Sequence, residues 1–232
     1  MKNNKILNLI QRNRISSVEV SDALHKTGVM AGLTALNAGH FAAGEIRYVY
    51  AHSASNWPVH EQIRGELEDK ILYVDTFDCG DRAIFGDIVA KYLFLYKKVR
   101  AIIVNGNLRD AHRLRKEDYP IWCRGVTPLG CTNHDIRASQ EVNAEADRRR
   151  NQYENSLCVC DDSGVTFIAP ENISEATYDR LDFIELQEDI WYYCIDTLKW
   201  DTYETICEKR YLKDRNVLPE AIRLKLMKYD EP

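Results

Sequence analysis

The chain has 232 residues, enough for one large domain or one domain with an appendage. Its hydrophobic share is 45%, its charged share 29% and its formal net charge −5; this suits a soluble globular protein and disfavours one whose main task is holding nucleic acid, which needs a basic face. No apolar run approaches the roughly 20 residues that span a bilayer, and the opening MKNNKILNLIQRNRISS lacks the apolar core of a secretory signal, so the reading is a cytoplasmic protein without a membrane segment. The seven cysteines are odd in number, irregular in spacing and contain no CxxC pair, which leaves a zinc ribbon or a thioredoxin-type site without support.

Residues 16–30, SSVEVSDALHKTGVM, read as a capped helix in which Ser21 or Asp22 accepts the orphan N–H groups and Gly28 ends the run. Residues 44–51, GEIRYVYA, have the β-branched and aromatic content of a strand. The segment around Pro58 to Leu67 reads as a helix, and residues 71–75, ILYVD, as a short apolar strand. In FGDIVAKYLFLYKK, 85–98, the apolar residues Ile88, Val89, Tyr92, Leu93 and Tyr96 recur at helical spacing. Residues 99–104, VRAIIV, form a near-continuous apolar run, as expected of a strand covered on both faces. NGN at 105–107 is a turn signal, LRDAHRLRKED then reads as helix, and YPIWC as a further strand. Strand and helix thus alternate between 71 and 123, the pattern of βαβ units and a partly parallel sheet.

The stretch 131–156 differs and reads as a solvated loop or helix face, including the basic run Arg148, Arg149 and Arg150. Strands return at 157–162 and 165–169, joined by a tight turn at Ser163–Gly164. Cys158 and Cys160 share one face of the first of these, where buried thiols are the plainer reading than metal ligands. From Ser174 the chain reads as helix, with two shorter amphipathic pieces at about 201–212 and 218–228. Trp191, Tyr192, Tyr193 and Trp200 read as packing residues.

Two pieces can carry chemistry, CGDRAIFGD at 79–87 and NGNLRD at 105–110. Gly86–Asp87 opens a predicted helix after a strand, and backbone amides at a helix N-terminus attract anions. The N–H groups near Ile88 and Val89 are therefore candidates for a substrate carboxylate. Arg109–Asp110 follows the next strand, and an open α/β sheet brings successive strand ends together at its carboxyl edge. Asp87, Arg109 and Asp110 can thus converge on one cleft. One cation, one carboxylate suited to a hard divalent metal and one spare carboxylate fit a 2-oxo acid. Each residue also has a plainer reading: Arg109–Asp110 as a helix start with a surface ion pair, and Asp87 as a simple N-terminal helix carboxylate. His52 and His60 flank a loop at the same edge but read first as surface or packing residues, and Asp81 with Arg82 reads equally as a local ion pair.

GDRAIFGDIVA, IIVNGNLRD and YPIWCRGVTPLG, in that order, resemble the central signature of the RraA-like family, which includes 4-hydroxy-4-methyl-2-oxoglutarate aldolases, oxaloacetate decarboxylases and the regulator of ribonuclease E activity. VSDALHKTG resembles the family's opening helix, SNWPVHEQI its next helix, and EVN with DDSGVTFIAP its closing strands, so the resemblance covers roughly 15 to 175. It implies an α/β protein with a three-layer β/β/α swivelling fold over residues 1–175, followed by a helical C-terminal extension over 176–232. It also implies roles. Asp110 would hold a divalent cation, Mg²⁺ or Mn²⁺, directly or through water. Arg109 would bind the keto oxygen and stabilise the enolate. Asp87 would orient a metal-bound water that moves protons. Gly86 and the amides of Ile88 and Val89 would hold the pyruvyl carboxylate, and Arg124 matches a family position near the cleft.

The implied activity is that of a carbon–carbon lyase. It would be retro-aldol cleavage of a 4-hydroxy-2-oxo diacid or decarboxylation of oxaloacetate, each giving pyruvate without a Schiff-base lysine. The implied assembly is a homotrimer or hexamer. Two alternatives stand beside it: a non-catalytic regulatory protein that binds a partner such as a ribonuclease, and an enzyme of another specificity using the same enolate chemistry. The chain departs from the family pattern in places. Twenty-one residues separate Asp87 from Arg109, one more than the family spacing, and Asn105 stands where an acidic residue is usual. The loop at 131–156 lacks the usual glycines, and Glu185 or Glu188 are the candidates for an acidic ligand given by a neighbouring subunit.

Overall fold

The computed structural model describes residues 5–229, and the chain divides into two compact units, Met1–Ile173 and Ser174–Pro232. The first four residues of the opening stretch and the last three of the predicted extension lie outside the described residues. The first unit opens with α1, Lys5–Asn13, which buries Ile6, Leu9 and Ile10. α2 spans Ser17–Ala23, so the helix expected over 16–30 is shorter than its sequence suggests. Ser16, rather than Ser21 or Asp22, is its cap: Ser16 Oγ accepts from Glu19 N–H, and the Glu19 carboxylate accepts from Ser16 N–H. His25 and Lys26 then take left-handed φ of 58° and 64°, which ends the helix before Gly28 is reached.

The strands are β1 (Thr34–Ala35), β2 (Ala42–His52), β3 (Ile71–Phe77), β4 (Ala101–Leu108), β5 (Ile121–Val126), β6 (Leu157–Asp161) and β7 (Gly164–Ile168). They form one hydrogen-bonded ladder in the order β1-β5-β4-β3-β2-β6-β7. β2 to β5 run parallel, and β1, β6 and β7 join antiparallel. β2 belongs to both halves, because Ala42–Glu45 pair with β6 while Ile46–His52 pair with β3.

The ladder folds over at that strand. β5 and β6 stand four ladder steps apart, about 19 Å in a flat sheet, yet Trp122 Nε1 on β5 donates to Asp161 O on β6 at 2.8 Å. The alternation of side chains along the parallel strands gives each face its own core. Ile71, Tyr73, Ala101, Ile103 and Trp122 point to one side and pack with Cys158, Cys160 and Val165 of the second β layer. Leu72, Val74, Ile102, Val104, Ile121 and Cys123 point to the other. There they meet Val59 of α3 (Trp57–Gln62), Ala90 and Leu93 of α4 (Asp87–Leu95) and Leu114 of α5 (Ala111–Lys116). This is the three-layer β/β/α arrangement. Burying one such Leu, Ile or Val contributes about 1.5–3 kcal/mol, which is why strands covered on both faces read as unbroken apolar runs.

Two expectations change in this unit. NGN at 105–107 is not a turn but the last part of β4, bulged between Val104 and Asn107. Gly106 serves close approach there, since a Cβ on it would stand 2.9 Å from Thr76 Cγ2. Of the loop or helix face expected at 131–156, the helix is present as α6, Gln140–Tyr153, capped by Ser139 Oγ, which accepts from Val142 N–H, but its solvation is not complete. Arg149 of α6 is not a solvated charge, because its Nη1 lies 3.1 Å from Oδ2 of the fully buried Asp75. Cys158 and Cys160 are buried free thiols with Sγ atoms 3.6 Å apart.

The second unit is helical. α7, Glu175–Asp196, starts at Ser174, whose Oγ accepts from Thr177 N–H. A π-helical turn at Tyr203–Cys207, α8 (Arg210–Lys213) and α9 (Glu220–Met227) follow. Leu186, Ile190, Cys194, Tyr211, Leu218 and Leu226 make its core, with Trp191, Tyr193 and Trp200 packed against it and Tyr192 exposed. Among the described residues no helix is long and apolar enough to cross a membrane.

Candidate functional site

β4 and α4 meet where the chemistry-bearing residues lie. Beyond the bulge in β4, Arg109 N–H donates to Phe85 O at 3.0 Å. Asp110 then takes left-handed φ 57° and ψ 33° as the N-cap of α5, a conformation Asp tolerates better than most side chains. Its carboxylate makes no capping hydrogen bond. It lies over Gly86 instead: a Cβ built there would stand 2.1 Å from Asp110 Oδ2 and 2.9 Å from Arg109 Cγ. Gly86 has an extended backbone, φ −137°, open to any residue. Space, not conformation, therefore requires glycine at the start of α4.

The approach to Gly86 is pinned from several sides. Ala83 N–H donates to Leu129 O, Ile84 N–H to Asn107 O, and Cys131 N–H back to Ala83 O. Arg82 donates to Gly130 O at 2.9 Å rather than pairing simply with Asp81. The guanidinium of Arg109 rests on Gly130, where a Cβ would lie 2.8 Å from Nη1. The result is a cleft of about 180 Å³ with Gly86, Asp87, Ile88, Val89, Arg109 and Asp110 in its wall, beside Asn56, His60, Cys131 and Asn133. All six residues singled out in the sequence are brought together. A second depression, about 450 Å³, also has Arg109 and Asp110 in its wall, with His112 and residues 126–128.

Each carboxylate of the cleft has a guanidinium beside it, Arg113 from outside the cleft wall and Arg109 from within it. Arg113 Nη1 lies 3.0 Å from Asp87 Oδ2, and this guanidinium holds the Asp87 carboxyl below the ordinary carboxylate value. Partial burial opposes that shift, while smaller contributions from the Asp110 side chain and Ile88 N–H reinforce it. Asp87 is therefore ionised at neutral pH. Arg109 Nε lies 3.5 Å from Asp110 Oδ2. Two guanidinium groups thus face two carboxylates.

Among the described residues no group of three or more His, Cys, Asp or Glu side chains stands ready to hold a metal. Asp110 and Asp87 offer two carboxylates on an open cleft. A hard divalent cation takes oxygen ligands, and Mg²⁺ keeps several waters when bound by one or two carboxylates, so this donor set fits such an ion.

The remaining candidates separate. His60 lines the cleft. His52 is buried at the end of β2, its Nδ1 3.1 Å from Ser53 Oγ, and is a packing residue. Arg124 donates to Asn105 Oδ1 at 2.6 Å and is not in the wall of the cleft. Glu185 and Glu188 lie on α7 in the second unit. Sequence reasoning does not single out Arg113 or Asn56. The spacing of Arg113, three residues after Asp110 on one helical turn, was the available signal for the first.

A model of the RraA-like family, described as Aldolase/RraA, matches residues 17–167. The chain belongs to the RraA-like family. A Halalkalibacterium halodurans protein named "Putative 4-hydroxy-4-methyl-2-oxoglutarate aldolase" is 26% identical over 157 residues, 60% of this chain and 73% of that protein. Protein DlpA of Legionella pneumophila is 25% identical over 148 residues, 58% of this chain; the match spans only 23% of DlpA. Among solved structures, Streptomyces coelicolor RraAS2, described as an unusual member of the RNase ES inhibitor RraA protein family, superposes with a TM-score of 0.58 at 22% identity, covering 78% of this chain and 94% of that one. The RraA-like fold thus spans residues 17–167, within the first unit.

Proposed function

We propose that the chain is a divalent-metal-dependent lyase that breaks a carbon–carbon bond in a small 2-oxo acid and releases pyruvate. The observation that carries this reading is the stacking of Asp110 and Arg109 over Gly86 at the N-terminus of α4, all within one small cleft. The relative named as an aldolase supports the same class.

The side chains divide the task. Cleavage leaves an electron pair that the 2-oxo group must absorb, and charge develops on the keto oxygen. The Arg109 guanidinium, held against Gly130, is placed to neutralise that charge. The first-turn amides of α4 at Ile88 and Val89 are placed for the substrate carboxylate. Asp110, with Asp87 beside it, would hold the cation, Mg²⁺ or Mn²⁺. That ion would supply Lewis-acid character at the keto oxygen when bound. Asp87, kept ionised by Arg113, accepts and orients protons in transit.

The test is pyruvate release from oxaloacetate and from 4-hydroxy-4-methyl-2-oxoglutarate, with Mg²⁺ and with EDTA, beside Asp110→Ala. Metal-dependent release that the substitution abolishes is the expected outcome. Full activity in Asp110→Ala removes it from the metal site, and no release from either acid by the unmodified protein overturns the lyase reading. A second reading, a regulatory protein docking on a partner such as a ribonuclease, draws on the family tie to RraAS2 and on an exposed apolar stripe along α4, where Ile88, Tyr92, Leu95 and Tyr96 follow helical spacing. We assign that stripe instead to contact between copies of this chain in a homotrimer or hexamer, since it begins at the cleft itself.

A further inference from the structure

Cys131 stands half-buried in the wall of the cleft, and Cys79 is a buried neighbour. Both are free thiols. Neither lies in a helix or strand: Cys79 follows β3, and Cys131 follows β5. A frame of backbone hydrogen bonds holds the two loops together. Ala54 N–H donates to Asp78 O at 3.0 Å, and Thr132 N–H donates to Ala54 O at 2.9 Å. Arg82 N–H donates to Cys79 O at 3.2 Å, and Cys131 N–H donates to Ala83 O at 2.9 Å. The cysteines are thus fastened to one another through Ala54 and again through Arg82–Ala83, and their thiols share a hydrogen bond. Cys158 and Cys160 also have neighbouring sulfurs, but both are fully buried on one strand, out of reach of any solute.

The surroundings set the two thiols apart. The hydrogen bond from Cys79 holds the Cys131 thiol below its ordinary value. Partial burial opposes this, and the Arg82 guanidinium, which donates to the adjacent Gly130 O at 2.9 Å, reinforces it. The same bond, together with burial, pushes Cys79 up. A thiolate is the nucleophilic form of cysteine, so the reactive sulfur is the one that meets the cleft.

We infer that Cys79 and Cys131 form a peroxide-reactive pair that closes into a reversible disulfide at the cleft wall. The Cys131 sulfur attacks one oxygen of hydrogen peroxide. The O–O bond breaks, the departing hydroxide takes up the thiol proton as water, and Cys131 becomes a sulfenic acid. The Cys79 sulfur then displaces that hydroxyl, which leaves with the Cys79 proton as a second water. Two thiols are oxidised by two electrons and the peroxide is reduced; a dithiol reductant reverses the change. Loop backbone can yield the approach that disulfide geometry requires. Gly130, on which the Arg109 guanidinium rests, precedes Cys131, so the bond ties the loop beneath Arg109 to the core. The inference does not depend on the lyase reading.

The test treats the reduced full chain with a small excess of hydrogen peroxide, blocks the remaining thiols by alkylation under denaturing conditions and digests with trypsin without reduction. Trypsin leaves the two cysteines in separate peptides, 71–82 and 125–137. The expected result is one linked species of these peptides, lost on treatment with dithiothreitol, with Cys79 and Cys131 vanishing together from the alkylated peptides. Exposed Cys207 is the internal control for peroxide attack. Oxidation of Cys207 while Cys79 and Cys131 both remain alkylated overturns the inference. Cys131 oxidised without a link to Cys79 does so too, as does a link from either cysteine to Cys207 in its place. These outcomes are read on the unmodified chain. In Cys79→Ser, dimedone should trap a sulfenic acid on Cys131, and in Cys131→Ser, Cys79 should stay alkylatable; the reverse pattern overturns Cys131 as the attacking sulfur.

Discussion

Gly86 and Asp110 constrain each other. The glycine carries no side chain because the carboxylate occupies that volume, and the carboxylate occupies it because Asp110 turns left-handed at the head of α5. Gly86→Ala is expected to push both Asp110 and Arg109 off position. Misplacing catalytic groups by about 1 Å lowers turnover by roughly 10²-fold, so steady-state kinetics should show a loss of that order. Side-chain rather than backbone atoms are displaced, but Arg109 Cγ and Asp110 Cγ lie close to the chain, so the melting temperature should fall by a few degrees while turnover falls far more. Wild-type turnover would mean that the two side chains work from somewhere else. At this scale the site was partly legible. Asp87, Arg109 and Asp110 could be placed together because strand ends in a parallel sheet gather their loops. Asn56 could not be added to them, because its side chain is fixed beside the cleft by a bond to Ile84 O, 28 residues away in the chain.

His52 gives a pH-dependent test. It is 3% exposed, and burial lowers its pKa below the ordinary value, partly countered by Asp78. The unfolded chain titrates near pH 6.5. Between that value and the lower folded one, the unfolded state binds more protons, so stability is full above about pH 6.5 and declines as the pH falls. Urea midpoints measured from pH 7.5 down to pH 5 should show the decline, and His52→Phe should flatten it. An unchanged slope in the variant would move the effect to another group.

At the scale of elements, the alternation of strand and helix from β3 to β5 was readable, because strands buried on both faces must be apolar throughout. α6 was readable only as a loop or a helix face, for a physical reason: it buries only Val142 and Ala146 and so shows no apolar stripe. Much of its attachment is polar. Arg149 meets the Asp75 carboxylate, which also accepts from Tyr48 Oη, Asn105 Nδ2 and Thr76 N–H. Arg149→Met removes the cation and leaves a fully buried carboxylate, a change that costs about 3 kcal/mol in such pairs. Urea unfolding should register it. A loss below about 1 kcal/mol would mean that the partly exposed guanidinium contributes no more than a surface pair. The NGN signal misled for a related reason: glycine marks both turns and close backbone approach, and only the neighbouring Thr76 shows which applies.

At the scale of the whole molecule, the family match ends at residue 167, and the helical second unit begins at Ser174 with a core of its own. The stripe on α4 gives a prediction for assembly. Ile88 and Tyr96 are 77% and 75% exposed, and light scattering should report a mass several times 26.9 kDa. Leu95→Glu should lower it, and a monomeric mass for the unmodified chain would return the stripe to the docking reading. The strand shared by the two β layers has a different consequence. β2 gives its first residues, Ala42–Glu45, to one layer and the rest, Ile46–His52, to the other, so a single strand carries a separate ladder for each layer. Amide protons at 42–45 should therefore report the opening of the β6–β7 layer and those at 46–52 the opening of β2 from β3, so that hydrogen exchange along one strand compares the stability of the two layers, and one common rate would mean that they open together.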